Sequence, residues 1–163
     1  GPTEGVIGHD VTRTLIQEYV SDVWLADTIV EANFVNPYAT TQGSWSSGFF
    51  LRHSDVGEVH SVVVSSDGYW DHDVSQDGVN TVVASVFSPH ILTSVSGINH
   101  IRVIALGNYG SLFINGVFVG RLDFSGQSKK GTISVVANYF EGDGVAGGTT
   151  RFDTFAVWSV GAK

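Results

Sequence analysis

Short runs of alternating apolar and polar residues, separated by glycine and asparagine turns, constrain the fold of this chain more than any other feature. In residues 27–35 (DTIVEANFV) the apolar positions 30, 32 and 34 alternate with Glu31 and Asn33. A β-strand points successive side chains to opposite faces, so this strand is predicted to bury one face and leave the other in water. Further segments predicted as strands are residues 45–53, 58–66, 68–74, 81–87, 100–106, 111–115, 117–122, 131–138 and 151–160.

The residues that connect these predicted strands have the composition of tight hairpin turns. Residues 66–68 (SDG), 108–110 (NYG) and 115–116 (NG) combine asparagine or aspartate with glycine, which tolerate the positive φ that such turns need. Residues 12–20 (TRTLIQEYV) fit either an edge strand or a single helical turn. About ten short strands without an intervening helix predict an all-β fold, an antiparallel two-sheet β-sandwich.

Length and charge narrow the classes of function. The 163 residues suit one domain, predicted to span 12–160, with residues 1–11 as a tag remnant and N-terminal extension because Gly1-Pro2 resembles a protease scar. A net charge of −8 argues against nucleic-acid binding, which depends on clustered lysine and arginine. No apolar run approaches the roughly 18 residues of a membrane span, so no membrane insertion is expected. Cysteine is absent, which excludes disulfides and cysteine-based metal sites.

Four motifs follow one another in the second half of the chain, namely residues 99–107 (NHIRVIALG), 112–116 (LFING), 131–135 (GTISV) and 151–158 (RFDTFAVW). In this order they resemble the concanavalin A-like lectin/glucanase superfamily, and within it the laminin-G-like and 3-keto-disaccharide hydrolase-type sandwich domains.

The resemblance implies a jelly-roll sandwich that serves as a non-catalytic, carbohydrate-binding module of a larger secreted or surface protein. The expected partner is a glycan, and the expected location is extracellular or at the cell surface. Two alternatives stay open, namely a laminin-G-like adhesion module that binds another surface protein, and a glycoside hydrolase.

A sugar site needs an aromatic ring that stacks on a pyranose and polar groups that bind its hydroxyls. In the resembling domains, the strand that matches the one with Arg52 lines the concave face, and so does the strand after it. The leading candidates are therefore Arg52, His60, Trp70 and His72, with Trp45 and Tyr109 at the rim. The competing interpretation places Trp70 in the core and pairs Arg52 with an acidic neighbour. Trp24 and Trp158 are interpreted as packing residues.

Acidic residues suggest a possible calcium site, since Ca²⁺ prefers several oxygen ligands. Asp67, Asp71, Asp73 and Asp77 fall within one short stretch, and His72 with His60 could instead bind a transition metal. Asp71 and Asp73 also share one face of a strand, about 6–7 Å apart by strand rise. The Glu-x-Asp-x-Glu strand of the superfamily's retaining glucanases is absent, however, so the chain is not predicted to be an enzyme.

Overall fold

The computed structural model describes residues 3–9, 17–54, 57–125, 130–138 and 145–161, which contain β-strands and no α-helix. None of these residues forms a helix long and apolar enough to span a membrane. The strands are β1 (Thr3–Gly8), β2 (Gln17–Leu25), β3 (Thr28–Val35), β4 (Ser46–His53), β5 (Val59–Ser65), β6 (Tyr69–Gln76), β7 (Val79–Phe87), β8 (Ile98–Leu106), β9 (Tyr109–Ile114), β10 (Val117–Asp123), β11 (Gly131–Asn138) and β12 (Thr149–Ser159).

The strands form two six-stranded sheets that pack face to face. Sheet A has the order β1-β12-β3-β8-β9-β10, and sheet B has the order β2-β11-β4-β5-β6-β7. All neighbouring strands are antiparallel. The predicted all-β, two-sheet antiparallel sandwich is therefore confirmed.

The N-terminal region differs from its prediction. Residues 3–8, assigned from sequence to an extension outside the domain, form β1 and pair with β12 at the edge of sheet A. The predicted domain start at residue 12 therefore leaves out a strand of the sandwich. The ambiguous segment 12–20 overlaps β2, which begins at Gln17 and pairs with β11. Its first part, residues 12–16, lies outside the described residues.

The core lies between the two sheets and is made almost entirely of aliphatic and aromatic side chains. Phe34 of sheet A and Phe49 of sheet B meet edge to face, with ring centroids 5.6 Å apart. On the β10 side the sheets approach closely, because a Cβ atom at Gly120 would overlap the indole of Trp70. A smaller buried cluster contains Phe50, Val59, Val63 and Val136 of sheet B.

Sheet A keeps the alternation that the sequence predicts. Along β3, residues from Thr28 to Phe34 alternate between buried and half-buried, and the apolar positions 30, 32 and 34 are fully buried. The predicted wet face of this strand is confirmed, with Glu31 and Asn33 on it. The outer face of sheet A therefore presents a mixed polar and apolar surface.

Candidate functional site

Arg52, expected to contact a ligand, is buried instead, with only 2% of its surface exposed. Its φ of 56° breaks the alternation of β4 and brings its side chain to the interior beside Leu51. The guanidinium donates to the carbonyl oxygens of Ala26 and Gly107 at 3.2 and 2.6 Å, and lies 4.7 Å from the ring centroid of Phe124. These contacts make Arg52 a structural residue that closes one end of the sandwich.

Four more of the expected ligand residues, Trp45, His60, Trp70 and His72, are also interior. Both histidines are fully buried, and each tryptophan is 2% exposed. Their strands do place Trp70 and His72 on one face, as the alternation predicts, but that face is the core. A sugar could not reach these side chains unless the two sheets separated. A binding site at the surface must therefore be formed by other residues.

The four aspartates proposed for calcium are not gathered into one site. Asp67 Oδ1 accepts hydrogen bonds from Ser65 Oγ at 2.6 Å and Tyr69 N at 3.2 Å, which fixes the turn between β5 and β6. Asp77 occupies the next turn, with φ of 52°. Within the described part of the chain, no three histidine or acidic side chains lie close enough to hold one metal ion.

The outer face of sheet A carries a groove of about 620 Å³, which we call the sheet A groove. Six of its eight lining residues lie on β3, β8 and β12. Trp158, 46% exposed, stands beside Ile29 in register, and Ile29 in turn pairs with Ile104. The lining residues are Ile29, Glu31, Arg102, Ile104, Trp158, Ser159, Val160 and Gly161.

Polar side chains form the neighbouring row of this groove. Glu31 and Arg102 are cross-strand partners on β3 and β8, and Arg102 Nε donates to Glu31 Oε2. His100 Nε2 lies 3.6 Å from the same carboxylate oxygen. One row further, Asn33 Nδ2 donates to Asp153 Oδ1 at 2.7 Å. The groove therefore combines an apolar wall with fixed donors and acceptors.

A second, smaller depression of about 350 Å³ continues the groove across Ile104, which lines both. It contains Tyr109, the one expected ligand residue that is at the surface, with 74% of it exposed. Its other lining residues include Gly110, Ser111 and Arg121. Register joins the two ends, since Trp158, Ile29, Ile104, Ser111 and Arg121 lie in one row across five strands. At about 4.8 Å per strand, that row is roughly 19 Å long.

The residues of the sheet A groove were missed from the sequence, which proposed only Tyr109 in the adjoining depression. Trp158 was interpreted as a packing residue, although its place opposite Ile29 puts it on the outer face. The available signal was the wet face of β3 together with His100 and Arg102 on β8, which alternate in step with it. Trp24, interpreted in the same way, is also exposed, at 41%.

Sheet B has a different polar surface, made by Tyr69, Asp71 and Asp73 on the outer face of β6. Burial raises the pKa of the Asp73 carboxyl, and the nearby Asp71 carboxylate raises it further. The ring of Tyr69 contacts that of Phe87 on the neighbouring strand β7 edge to face, with centroids 5.8 Å apart. This face therefore holds two adjacent carboxyl groups and an aromatic pair.

The fold has many counterparts among solved structures, although no family model matches the sequence and no curated protein is detectably similar to it. The carbohydrate-binding module CBM66 from Bacillus subtilis superposes with a TM-score of 0.71 at 14% identity, covering 98% of this chain and 96% of that one. Sheep galectin-11 gives 0.61 at 12% identity, covering 86% and 95%. The Bacillus licheniformis β-glucanase gives 0.65 at 11% identity, covering 88% and 71%.

These likenesses extend over most of the chain while the sequences have diverged almost completely. At such identities they establish the architecture and not the chemistry, because one fold hosts many activities. The two antiparallel sheets agree with the sandwich that the sequence motifs predict. The chain therefore has the concanavalin A-like sandwich fold of lectins and glucanases.

Proposed function

We propose that this chain binds carbohydrate without cleaving it, through the sheet A groove. The observation that carries the proposal is the half-exposed indole of Trp158 beside the Glu31–Arg102 pair in one groove. An indole can stack on the apolar face of a pyranose, while a carboxylate and a guanidinium bind its hydroxyls. That CBM66 and a galectin share the fold adds support from proteins whose names denote sugar binding.

The composition of the groove favours binding over hydrolysis. Most glycoside hydrolases need two carboxyl groups that flank the scissile bond. The lining of the sheet A groove contains one carboxylate, Glu31, and that carboxylate is held by Arg102 and faces His100.

With the binding role we also propose that the chain acts outside the cell or at its surface, which localisation of the full-length protein would test.

A glycan array followed by calorimetry with the best ligand tests the proposal. We expect Trp158→Ala to weaken the affinity roughly tenfold or more, because stacking is lost. Trp24→Ala is the matched control, since Trp24 is similarly exposed, at 41%, but lies on sheet B. Absence of binding to any glycan, or an equal loss in the two variants, would overturn the proposal.

A second candidate function is glycoside hydrolysis at Asp71 and Asp73. The raised pKa of Asp73 beside a second carboxyl group is the pattern of a general acid with its partner. Release of reducing ends from a β-glucan or other glycan, abolished in Asp73→Asn and unaffected in Trp158→Ala, would favour this function over the first. No release from a broad glycan panel would eliminate it.

A further inference from the structure

Strand β7 forms a free edge of sheet B, since β6 is its only partner among the strands that the structure describes. Of its nine residues, all but Ala84 are exposed. Among its large apolar side chains, the most exposed are Val79 at 64%, Val82 at 63% and Phe87 at 58%. An edge strand of this length and apolarity is an unsatisfied template for pairing with another strand.

The other three sheet edges carry charges that discourage such pairing, and β7 does not. Strand β1 contains Glu4, β2 contains Asp22, and β10 contains Arg121 and Asp123. The sequence of β7, VNTVVASVF, has no charged residue, no proline and no glycine. Proteins commonly protect edges with charges, so the exception marks β7 as an edge adapted to a partner.

The inner face of β7 packs against the core at Ala84 but is exposed at Val86. Val86 is in register with Trp70, whose side chain is in the core, yet Val86 is 43% exposed. Strand β7 therefore extends beyond the cover that sheet A provides. A partner would pair with the free backbone groups and shield apolar surface on both faces of the strand.

We propose that β7 pairs antiparallel with β7 of a second copy of this chain, which joins two copies of sheet B into one continuous sheet. Two uncharged strands can approach without like-charge repulsion, although each chain carries a net charge of −8. The antiparallel arrangement places Asp77, just before β7, near the Phe87 end of the other copy, whereas a parallel one would place two Asp77 side chains together. A twofold axis at the middle of the strand satisfies both copies equally.

The middle of the strand offers a sensitive position for a test. Val83 is the central residue of β7, and the register shift there leaves it without a partner on β6. Across a twofold axis the two Val83 residues lie closest to each other. Lysine at this position would therefore repel its own copy while leaving the ladder with β6 intact.

Sedimentation velocity of the wild-type chain over roughly a hundredfold range of concentration is the experiment, since mass action makes a reversible dimer concentration-dependent. We expect a monomer–dimer equilibrium in which Val83→Lys raises the dissociation constant at least roughly tenfold. Val83→Glu should do the same, and an equimolar mixture of the two variants should restore the dimer, because opposite charges then meet.

Val23→Lys on β2 is the matched control, because Val23 is 38% exposed against 41% for Val83 and lies on the other edge of sheet B. Melting temperatures show whether each variant remains folded. A wild-type chain that stays monomeric throughout, an equal effect of Val23→Lys, or no recovery in the mixture would overturn the proposal. The result is independent of sugar binding, since the sheet A groove lies on the other sheet.

Discussion

His60 Nδ1 lies 3.0 Å from His72 Nε2, so the two imidazoles share one hydrogen bond in the interior. Both rings also pack against Phe124, with centroids 4.8 and 5.4 Å from it. Burial, together with His72 and Arg52, lowers the pKa of His60 to about 3 against an opposing effect of Asp123. Burial likewise lowers the pKa of His72 to about 4. The folded state thus keeps both rings neutral.

The first prediction is a loss of stability in mild acid. The unfolded chain takes up protons below about pH 6.5, whereas the folded histidines do so only near pH 3 to 4. The contribution of the two histidines to the free energy of unfolding should therefore be fully present above pH 6.5. It should decrease as the pH falls from about 6.5 to about 3. Urea denaturation at several pH values measures it.

His72→Gln isolates this contribution from that of the many carboxylates. The variant should have a shallower pH slope than the wild type, because one titrating group and its partner's contact are removed. His90→Gln, at an exposed histidine outside the buried pair, is the matched replacement for comparison. Identical slopes in all three proteins would contradict the prediction.

The second prediction concerns Arg52, which has backbone carbonyl partners and a distant ion-pair partner, Asp27, at 4.0 Å. Arg52→Lys keeps the charge but loses the planar fork that reaches Ala26 and Gly107 together. We expect a loss of about 2–4 kcal/mol in the free energy of unfolding, measured in urea. The exposed Arg121→Lys should change it by less than about 0.5 kcal/mol, and a similar effect of both would refute the structural role.

The third prediction tests how closely the sheets approach at β10. Gly120→Ala forces the new methyl group against the Trp70 indole, which is held in the core. We expect a loss of about 1–3 kcal/mol from overpacking, seen as a lower melting temperature. Gly8→Ala, where nothing lies within 4 Å, is the control and should be close to neutral. A neutral Gly120→Ala would mean that the sheets are further apart there.

The fourth prediction concerns Asn99, which is fully buried and joins three segments. Its Nδ2 donates to Asn36 Oδ1 at 3.0 Å and Leu92 O at 2.9 Å, and its Oδ1 accepts from Leu92 N at 2.9 Å. Asn99→Ala removes the partners of Leu92 N and Asn36 Oδ1, although Leu92 O still accepts from Asn36 Nδ2, and should cost about 2–3 kcal/mol of unfolding free energy in urea. The exposed Asn108→Ala should be nearly neutral, and equal losses would argue against a network role.

The strands and turns were predictable because they depend on local patterns. Residues 131–138 were predicted as a strand and form β11 with the same bounds. The Asn115–Gly116 turn has φ of 51° and 81°, the two positive values that an asparagine-glycine hairpin predicts. Strand β1 has no turn signal of this kind, and its pairing with β12 is a long-range contact that no local pattern announces.

The candidate site was harder to predict, since alternation identifies faces but not which face is inside. Trp70 and His72 were correctly placed on one face, but that face was expected to line a binding site. In the structure His72 is buried and shares a hydrogen bond with His60 of the neighbouring strand. For Arg52, one left-handed φ reverses the direction that regular alternation would give.

Most of the sheet A groove is built on paired strands, with only Val160 and Gly161 beyond the end of β12. The backbone hydrogen bonds between the strands therefore determine the spacing of its side chains. Insertions in the connecting segments should alter solubility or proteolysis without altering recognition. New specificities would instead be engineered by exchanging side chains at fixed points such as Ile29, Arg102 and Ile104, which makes this surface suited to combinatorial libraries.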